Sequence, residues 1–240
     1  MNRIVICAAM PMEMRSLCRR LAIAPLTPKR TVAQAASLFG ETEIILIASG
    51  VGRQRMQAQL ALFEDAPTSC WISIGAAGGL HSDIQVGACL QGTDVVMDDG
   101  QVMRFEPLCE GGTCPLLYCS DQPLLTPQSK AECHQRLGAA LVDMESAAVA
   151  RHAKSRGECF AWIKVISDGA EEAIPAEALQ CIGQDGFPNI GVSLRVLARK
   201  PWALASLIRL GARTSKLDSI LADAVFDFIH QFEYKGGCQA

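Results

Sequence analysis

Two apolar runs that each stop at an acid constrain this chain more than any other feature. One is Leu141-Val142-Asp143-Met144-Glu145-Ser146, and the other is Trp162-Ile163-Lys164-Val165-Ile166-Ser167-Asp168-Gly169-Ala170. Short apolar runs rich in β-branched and aromatic residues, bounded by polar residues and glycine, read as buried strands. An acid at the end of such a strand sits at the edge of a parallel sheet, where open α/β sheets bind ligands. The two runs therefore predict two acids delivered to one edge.

The rest of the chain supplies more strands of the same kind, alternating with helical patterns. Residues 3–9 form a β-branched run, and Pro11 follows where helices accept proline, in the first turn. Met12, Leu17 and Leu21 repeat at helical spacing until Pro25 and Pro28 end the pattern. Residues 35–39 and 43–48 predict two strands around Gly40-Glu41-Thr42, and Ser49-Gly50-Val51-Gly52 turns into a helix through Met56, Leu60 and Phe63. Residues 70–74 predict a strand that ends at Gly75-Ala76-Ala77-Gly78-Gly79, a wall where missing side chains let backbone approach a ligand.

Residues 86–97 read as extended structure broken at Gly92. Periodicity then fails over residues 98–127, which read as a loop-rich candidate lid around one apolar run at 116–119. A helix at 130–137, a strand at 139–142, a helix at 146–156 closed by Gly157 and a strand at 160–166 follow. Beyond Pro188 the pattern is helical to about Phe232, with Pro201 opening a second segment. This alternation predicts a three-layer αβα fold with a central, mostly parallel mixed sheet. Residues 1–240 read as one domain, with a helical C-terminal extension over about 189–232.

Composition removes several function classes. The 240 residues are half apolar, enough for a sizeable core. A formal charge of -3 with no long basic block gives no reason to expect nucleic acid. The eleven cysteines are spread through strand-like runs such as Ile4-Val5-Ile6-Cys7, which fits reduced thiols in a cytoplasmic protein better than a disulfide scaffold. The first apolar run is too short for a signal peptide or a membrane span.

Gly50-Val51-Gly52-Arg53-Gln54-Arg55 opens a helix after a strand, as dinucleotide fingerprints do, but Arg55 replaces the third glycine and no ribose-binding acid follows. A tight turn, with or without backbone donors for a smaller polar ligand, fits better. Glu13 and Glu145 lie near helix starts, where a carboxylate also stabilises the dipole by about 0.3–1 kcal/mol. Asp168 instead points into the crevice. Three acids at one edge suit cleavage of a glycosidic bond: one protonates the leaving group, one activates water and one holds sugar hydroxyls. Cys109, Cys114, Cys119, Cys133 and His134 lack the paired spacing of a zinc site, so neither a metal nor a cofactor is expected. His81, His134, His152 and His230 read as isolated surface residues, and no nucleophile elbow or Cys/His pair is evident.

These motifs resemble the purine nucleoside phosphorylase and methylthioadenosine/S-adenosylhomocysteine nucleosidase superfamily. Ala9-Met10-Pro11-Met12-Glu13-Met14 resembles the nucleosidase opening, Ser49-Gly50-Val51-Gly52 its first glycine turn, and Gly75-Ala76-Ala77-Gly78-Gly79-Leu80 its glycine signature. Val142-Asp143-Met144-Glu145 and Ile166-Ser167-Asp168 complete the set. The resemblance implies a phosphorylase/hydrolase-like fold in which Glu13 activates water and Asp168 protonates N7 of the purine, its carboxyl raised by burial. It also implies that Glu145 binds the ribose hydroxyls, Met144 packs on the sugar and Ser167 lines the base pocket. Gly50, Val51, Ala76, Ala77, Gly78 and Asp143 complete the implied substrate site. Ala76 stands where serine is frequent, and Asp143 where glutamate is more usual.

Within that superfamily the chain is most similar to hopanoid-associated phosphorylases, or adenosylhopane nucleosidases. The similarity lies in the helix before Val142-Asp143-Met144-Glu145-Ser146 and in Ala173-Ile174-Pro175-Ala176-Glu177-Ala178-Leu179, and continues through Arg199-Lys200-Pro201 into the tail. It implies release of adenine from adenosylhopane in hopanoid biosynthesis. The Glu13 position and the lack of an arginine in the strand leading to Gly75 favour water as the nucleophile over the phosphate that the subfamily's name suggests, with inorganic phosphate as the alternative co-substrate. Methylthioadenosine or S-adenosylhomocysteine cleavage, another purine nucleoside phosphorylase activity and a non-catalytic nucleoside-binding role are the competing readings. Trp202, Leu204, Leu207, Ile208 and Leu210 form an apolar helix face that covers a sheet, makes a dimer contact or meets lipid. Arg195, Arg199, Lys200 and Arg209 are candidates for contact with anionic headgroups at the inner membrane.

Overall fold

Branched aliphatic residues on both faces of a strand favour a central position in a sheet, and Ile4, Val5, Ile6, Ile44, Leu46 and Ile47 are buried accordingly. They belong to β1 (Arg3–Ala8) and β3 (Glu43–Ala48), which pair in parallel from Arg3 opposite Glu43 to Ala8 opposite Ala48. β2 (Val32–Ala35) closes this side antiparallel to β3. The structure is a computed structural model that describes residues 3–27, 29–35, 42–63, 67–108, 114–174 and 203–234.

On the other side of β1 runs β4 (Cys70–Gly79), which pairs in parallel with β10 (Cys159–Asp168). β5 (Cys89–Gly92), β6 (Val95–Val96), β7 (Val102–Met103), β8 (Leu117–Cys119) and β9 (Leu141–Asp143) complete a ten-stranded mixed sheet among the described residues. Two cores sandwich it. Helix α1 (Arg15–Arg20) and helix α5 (Ala203–Tyr234) bring Leu17, Leu221, Val225, Phe228 and Ile229 to one face. Helices α2 (Arg53–Leu60) and α4 (Ser146–Arg156) bring Met56, Leu60, Val149 and Ala153 to the other. Helix α3 (Pro127–Leu137) packs Cys133 and Leu137 with Val96, Tyr118 and Val142.

The sheet forks at β4, and the fork positions everything that follows. β1 pairs with β4 only through Ser73, whereas β9 pairs with it only at Gly78 and Gly79. Between them Gly75 and Ala76 have no strand neighbour on that side. β9 also runs antiparallel to β4 and parallel to β8, so its C-terminal end turns back along β4 toward Ser73. The expectation that both acid-bearing strands end at one parallel edge is corrected here: β10 does, but β9 does not.

Other elements also shift. The predicted glycine wall is itself β-structure, because β4 continues through Gly79 and keeps pairing with β10. The strand expected at 35–39 is found at Val32–Ala35, and residues 36–41 lie outside the described set. The candidate lid contributes β7 and β8 to the sheet, with Leu117, Tyr118 and Cys119 buried. α3 begins at Pro127, three residues before its predicted start, because Thr126 caps it by accepting from Ser129 N. In the tail, α5 covers the sheet through its later turns. The apolar and basic residues expected to meet lipid, from Arg195 to Leu210, lie outside the residues whose side chains are described. No helix among the described residues is long and apolar enough to cross a membrane.

Two readings of reactive residues also change. Cys159 is disulfide-bonded, whereas Cys7, Cys18, Cys89, Cys114, Cys119 and Cys133 are free thiols. Of the four histidines only His230 is exposed: His81 and His134 face each other with ring centroids 4.8 Å apart, and His152 meets Trp71 edge to face.

Candidate active site

Pro11 opens a short 3-10 turn, Pro11–Met14, that carries Glu13 from the end of β1 into the fork of the sheet. There Oε2 accepts from the Met10 amide at 2.8 Å and Oε1 from the Ala76 amide at 2.8 Å. The Ala76 amide is available because no strand pairs with that side of β4. Gly75 is obligatory in this arrangement, since a Cβ at its position would lie 2.7 Å from Glu13 Oε1 and its φ is +138°. Burial pushes the Glu13 carboxyl up, and the two amide bonds and Lys164 only partly offset it.

Asp168 ends β10 opposite Gly78, and the missing side chain there makes room for its carboxyl: a Cβ on Gly78 would lie 3.1 Å from Asp168 Oδ2. Ser167 Oγ lies 2.6 Å from Asp168 Oδ1 and 3.2 Å from Ala77 O. The glycines at Gly75 and Gly78 thus leave room along β4 for two carboxyl groups, Glu13 from the side without a strand neighbour and Asp168 from β10. Asp168 also has a charged partner. Lys130, fully buried on α3, places Nζ 2.5 Å from Oδ2.

Glu145 occupies the cap position of α4 without capping it. Its Oε1 accepts instead from the Gly52 amide at 2.7 Å. Gly52 has φ +102°, a left-handed conformation that glycine adopts without strain. Burial, and after it the nearby Asp143 charge, push the Glu145 carboxyl up to about 8. Gly50, expected at the site, has its amide bonded to Ala9 O, which ties the turn to β1. Val51 and Met144 are partly buried beside these groups in sequence.

The dipole role expected of Glu145 falls to Asp143. Its carboxylate accepts from Ser146 N at 3.1 Å and from Ser146 Oγ at 2.5 Å. It also pairs with Lys164 Nζ at 2.8 Å, and Lys164 donates to Ser73 Oγ and Ile74 O. Burial opposes the Lys164 charge, but Asp143 outweighs it and the ammonium is held above its usual range. Asp143 therefore lies beneath the site as a support, because antiparallel β9 turns it back into the sheet. Lys130, Lys164, Ser73, Ser146 and the Met10 and Gly52 amides are contributions that the sequence reading missed. Only Lys164, a charge inside an apolar strand run, carried a signal.

Among the described residues no group of three or more His, Cys, Asp or Glu side chains is arranged to hold a metal ion. The carboxyl groups can instead take a proton from water, hold sugar hydroxyls and act on a leaving base.

Comparison with known proteins places the family and the fold. The family model described as Phosphorylase superfamily matches residues 3–116 and 113–183. The 5'-methylthioadenosine/S-adenosylhomocysteine nucleosidase of Bacillus subtilis (strain 168) is 31% identical over 136 residues, covering 54% of this chain. The matched stretch spans 57% of that relative. The futalosine hydrolase of Helicobacter pylori strain 26695 superposes with a TM-score of 0.65 at 17% identity, covering 98% of each chain. A mutant of the Helicobacter pylori nucleosidase MTAN, solved with 5'-methylthioadenosine in its active site, superposes with a TM-score of 0.64 at 16% identity, covering 96% of this chain and 99% of its own. At such identities the structural likeness is one of fold.

Proposed function

The chain belongs to the phosphorylase superfamily, and on that premise we propose that it cleaves the N-glycosidic bond of an adenine nucleoside. One observation carries this reading: Glu13 and Asp168 reach the second half of β4 at Gly75 and Gly78, one from its unpaired side and one from β10, with Glu145 held through Gly52. Glu13, with a carboxyl pushed up by burial, takes a proton from water. Glu145 accepts hydrogen bonds from the ribose hydroxyls. Asp168 protonates N7 as C1'–N9 breaks, and Ser167 fixes the orientation of its carboxyl.

Water is the proposed nucleophile. The Ala76 amide, a donor that an anion would otherwise use, is occupied by Glu13, and a phosphate beside Gly75 would meet that carboxylate. Arg53, at the start of α2, is paired with Asp121. The product separates the alternatives: ribose is expected with or without inorganic phosphate, and ribose 1-phosphate formed only with phosphate would establish phosphorolysis.

The proposed substrate is adenosylhopane, a lipid-linked adenine nucleoside, and the support for it is the sequence resemblance described above. Part of that resemblance falls on residues 175–202, outside the described set. Incubating the purified protein with adenosylhopane should release adenine. The Bacillus subtilis relative supports a second reading, cleavage of 5'-methylthioadenosine or S-adenosylhomocysteine. Turnover of those soluble nucleosides with none of adenosylhopane would replace the first reading by the second. Bound adenine nucleoside without turnover would indicate a binding protein.

A further inference from the structure

Lys130 is a polar group that the mechanism above does not use, and it has no surface in contact with solvent. An ammonium has three N–H donors and no acceptor. Lys130 Nζ finds three acceptors: Asp168 Oδ2 at 2.5 Å, Gly169 O at 2.7 Å and Glu172 O at 2.9 Å. The two carbonyls belong to the turn that follows β10, and the bond from Ile174 N to Leu125 O ties the same segment to the entrance of α3.

This arrangement is satisfied in two protonation states. As an ammonium beside a carboxylate, Lys130 uses all three donors. As a neutral amine it would keep two N–H groups for the two carbonyls, and its lone pair would accept from a protonated Asp168. A proton can therefore cross the 2.5 Å contact without leaving a buried donor or acceptor unpaired, and without leaving a separated pair of charges in a dry interior. Ser167 Oγ stays on the other carboxyl oxygen throughout.

Resting on the reading of Asp168 as the purine acid, we propose that Lys130 supplies the proton that Asp168 hands to the leaving base. It is a positioning residue that acts only through Asp168. As C1'–N9 breaks, its electron pair passes to the purine and N7 takes a proton from Asp168. That proton reaches Asp168 from Lys130, so the Asp168 carboxylate is regenerated and Lys130 is left neutral. Water forms the new bond to C1' and its proton goes to Glu13. Glu13 then releases a proton to solvent and Lys130 regains one, so the net change is water added across the glycosidic bond.

The test uses Lys130→Met, Asp168→Asn and the double variant. Each is assayed on whichever of adenosylhopane or 5'-methylthioadenosine is cleaved, and on 4-nitrophenyl β-D-riboside, whose leaving group needs no proton. Lys130→Met is expected to lower kcat/KM for the adenine nucleoside about 10²-fold and to change nitrophenyl riboside cleavage less than about threefold. In the Asp168→Asn background the lysine substitution should add less than about threefold on either substrate. Equal losses on both substrates, or a further loss in that background, would overturn the relay in favour of a structural role. The double variant leaves neither charge buried alone, so its comparison with Asp168→Asn decides the question even if Lys130→Met does not fold. Unchanged adenine release by Asp168→Asn would refute the assignment of Asp168 itself. Unchanged release by Lys130→Met alone would refute only the relay.

Discussion

The two sides of the site are built around two buried lysines that treat their acids in opposite ways. On the side proposed for the purine, Lys130 pairs directly with Asp168, the proposed acid of the site. On the side proposed for the sugar, Lys164 pairs with Asp143 beneath Glu145 and Glu13. Glu13 and Glu145 are left to burial and to backbone amides, and both carboxyls are raised. A counter-charge spent on a supporting acid therefore tunes its neighbours indirectly, whereas one placed on a working acid becomes part of that acid's proton chemistry.

The largest effect is expected from breaking the sugar-side support. Lys164→Met strands the Asp143 carboxylate in the core and should cost about 3–5 kcal/mol in urea unfolding, with most of it recovered when Asp143→Asn is added. Full stability in the single variant would show that Asp143 is not bound to that charge. Next come the working acids. Glu13→Gln and Asp168→Asn should each lower kcat/KM about 10²-fold or more, equivalent to about 2.7 kcal/mol. Activity near that of the unaltered protein would remove the residue from its role.

The glycine edge links the two sides and predicts a smaller, graded effect. Gly75→Ala meets both the Glu13 carboxyl and a φ of +138°, so it should destabilise by about 1–3 kcal/mol and reduce turnover. Gly52→Ala has φ +102° but open space around the added carbon, so it should show strain alone, about 1 kcal/mol, with weaker ribose binding seen in KM. Equal losses of turnover in the two variants would mean that contact with Glu13 is unimportant.

The smallest effect depends on pH. The Glu145 carboxyl is raised to about 8 from an ordinary value of 4.5, so the folded protein holds a proton there that the unfolded chain releases. That contribution to stability is complete below the unfolded value and is lost as pH rises through about 8. Glu145→Gln stays neutral throughout. It should melt like the unaltered protein at acid pH and at a higher temperature above pH 8, while binding nucleoside more weakly. Identical melting curves across that range would show that Glu145 is not raised.

Much of this was legible along the chain. The runs that become β1, α4 and β10 carry periodicity strong enough to place them within a residue or two, and Glu13, Glu145 and Asp168 are all buried acids of one region. The direction of β9 was not legible, because an apolar run pairs as readily parallel as antiparallel. That direction sends Asp143 inward. Nor did the glycines of β4 announce that they remain in the sheet, since glycine weakens a strand unless something must come close. Here two carboxyl groups come close.

By itself, the sequence determined the alternation of strands and helices and the acids at their ends, because hydrophobic period and local turn chemistry act over a few residues. Tertiary structure alone decided which charge faces which acid. Lys130 sits in a polar stretch with no local sign of burial, and Asp168 lies 38 residues further on. Their pairing exists only because α3 and the end of β10 are packed together, and a buried charge persists only where the fold brings it a partner.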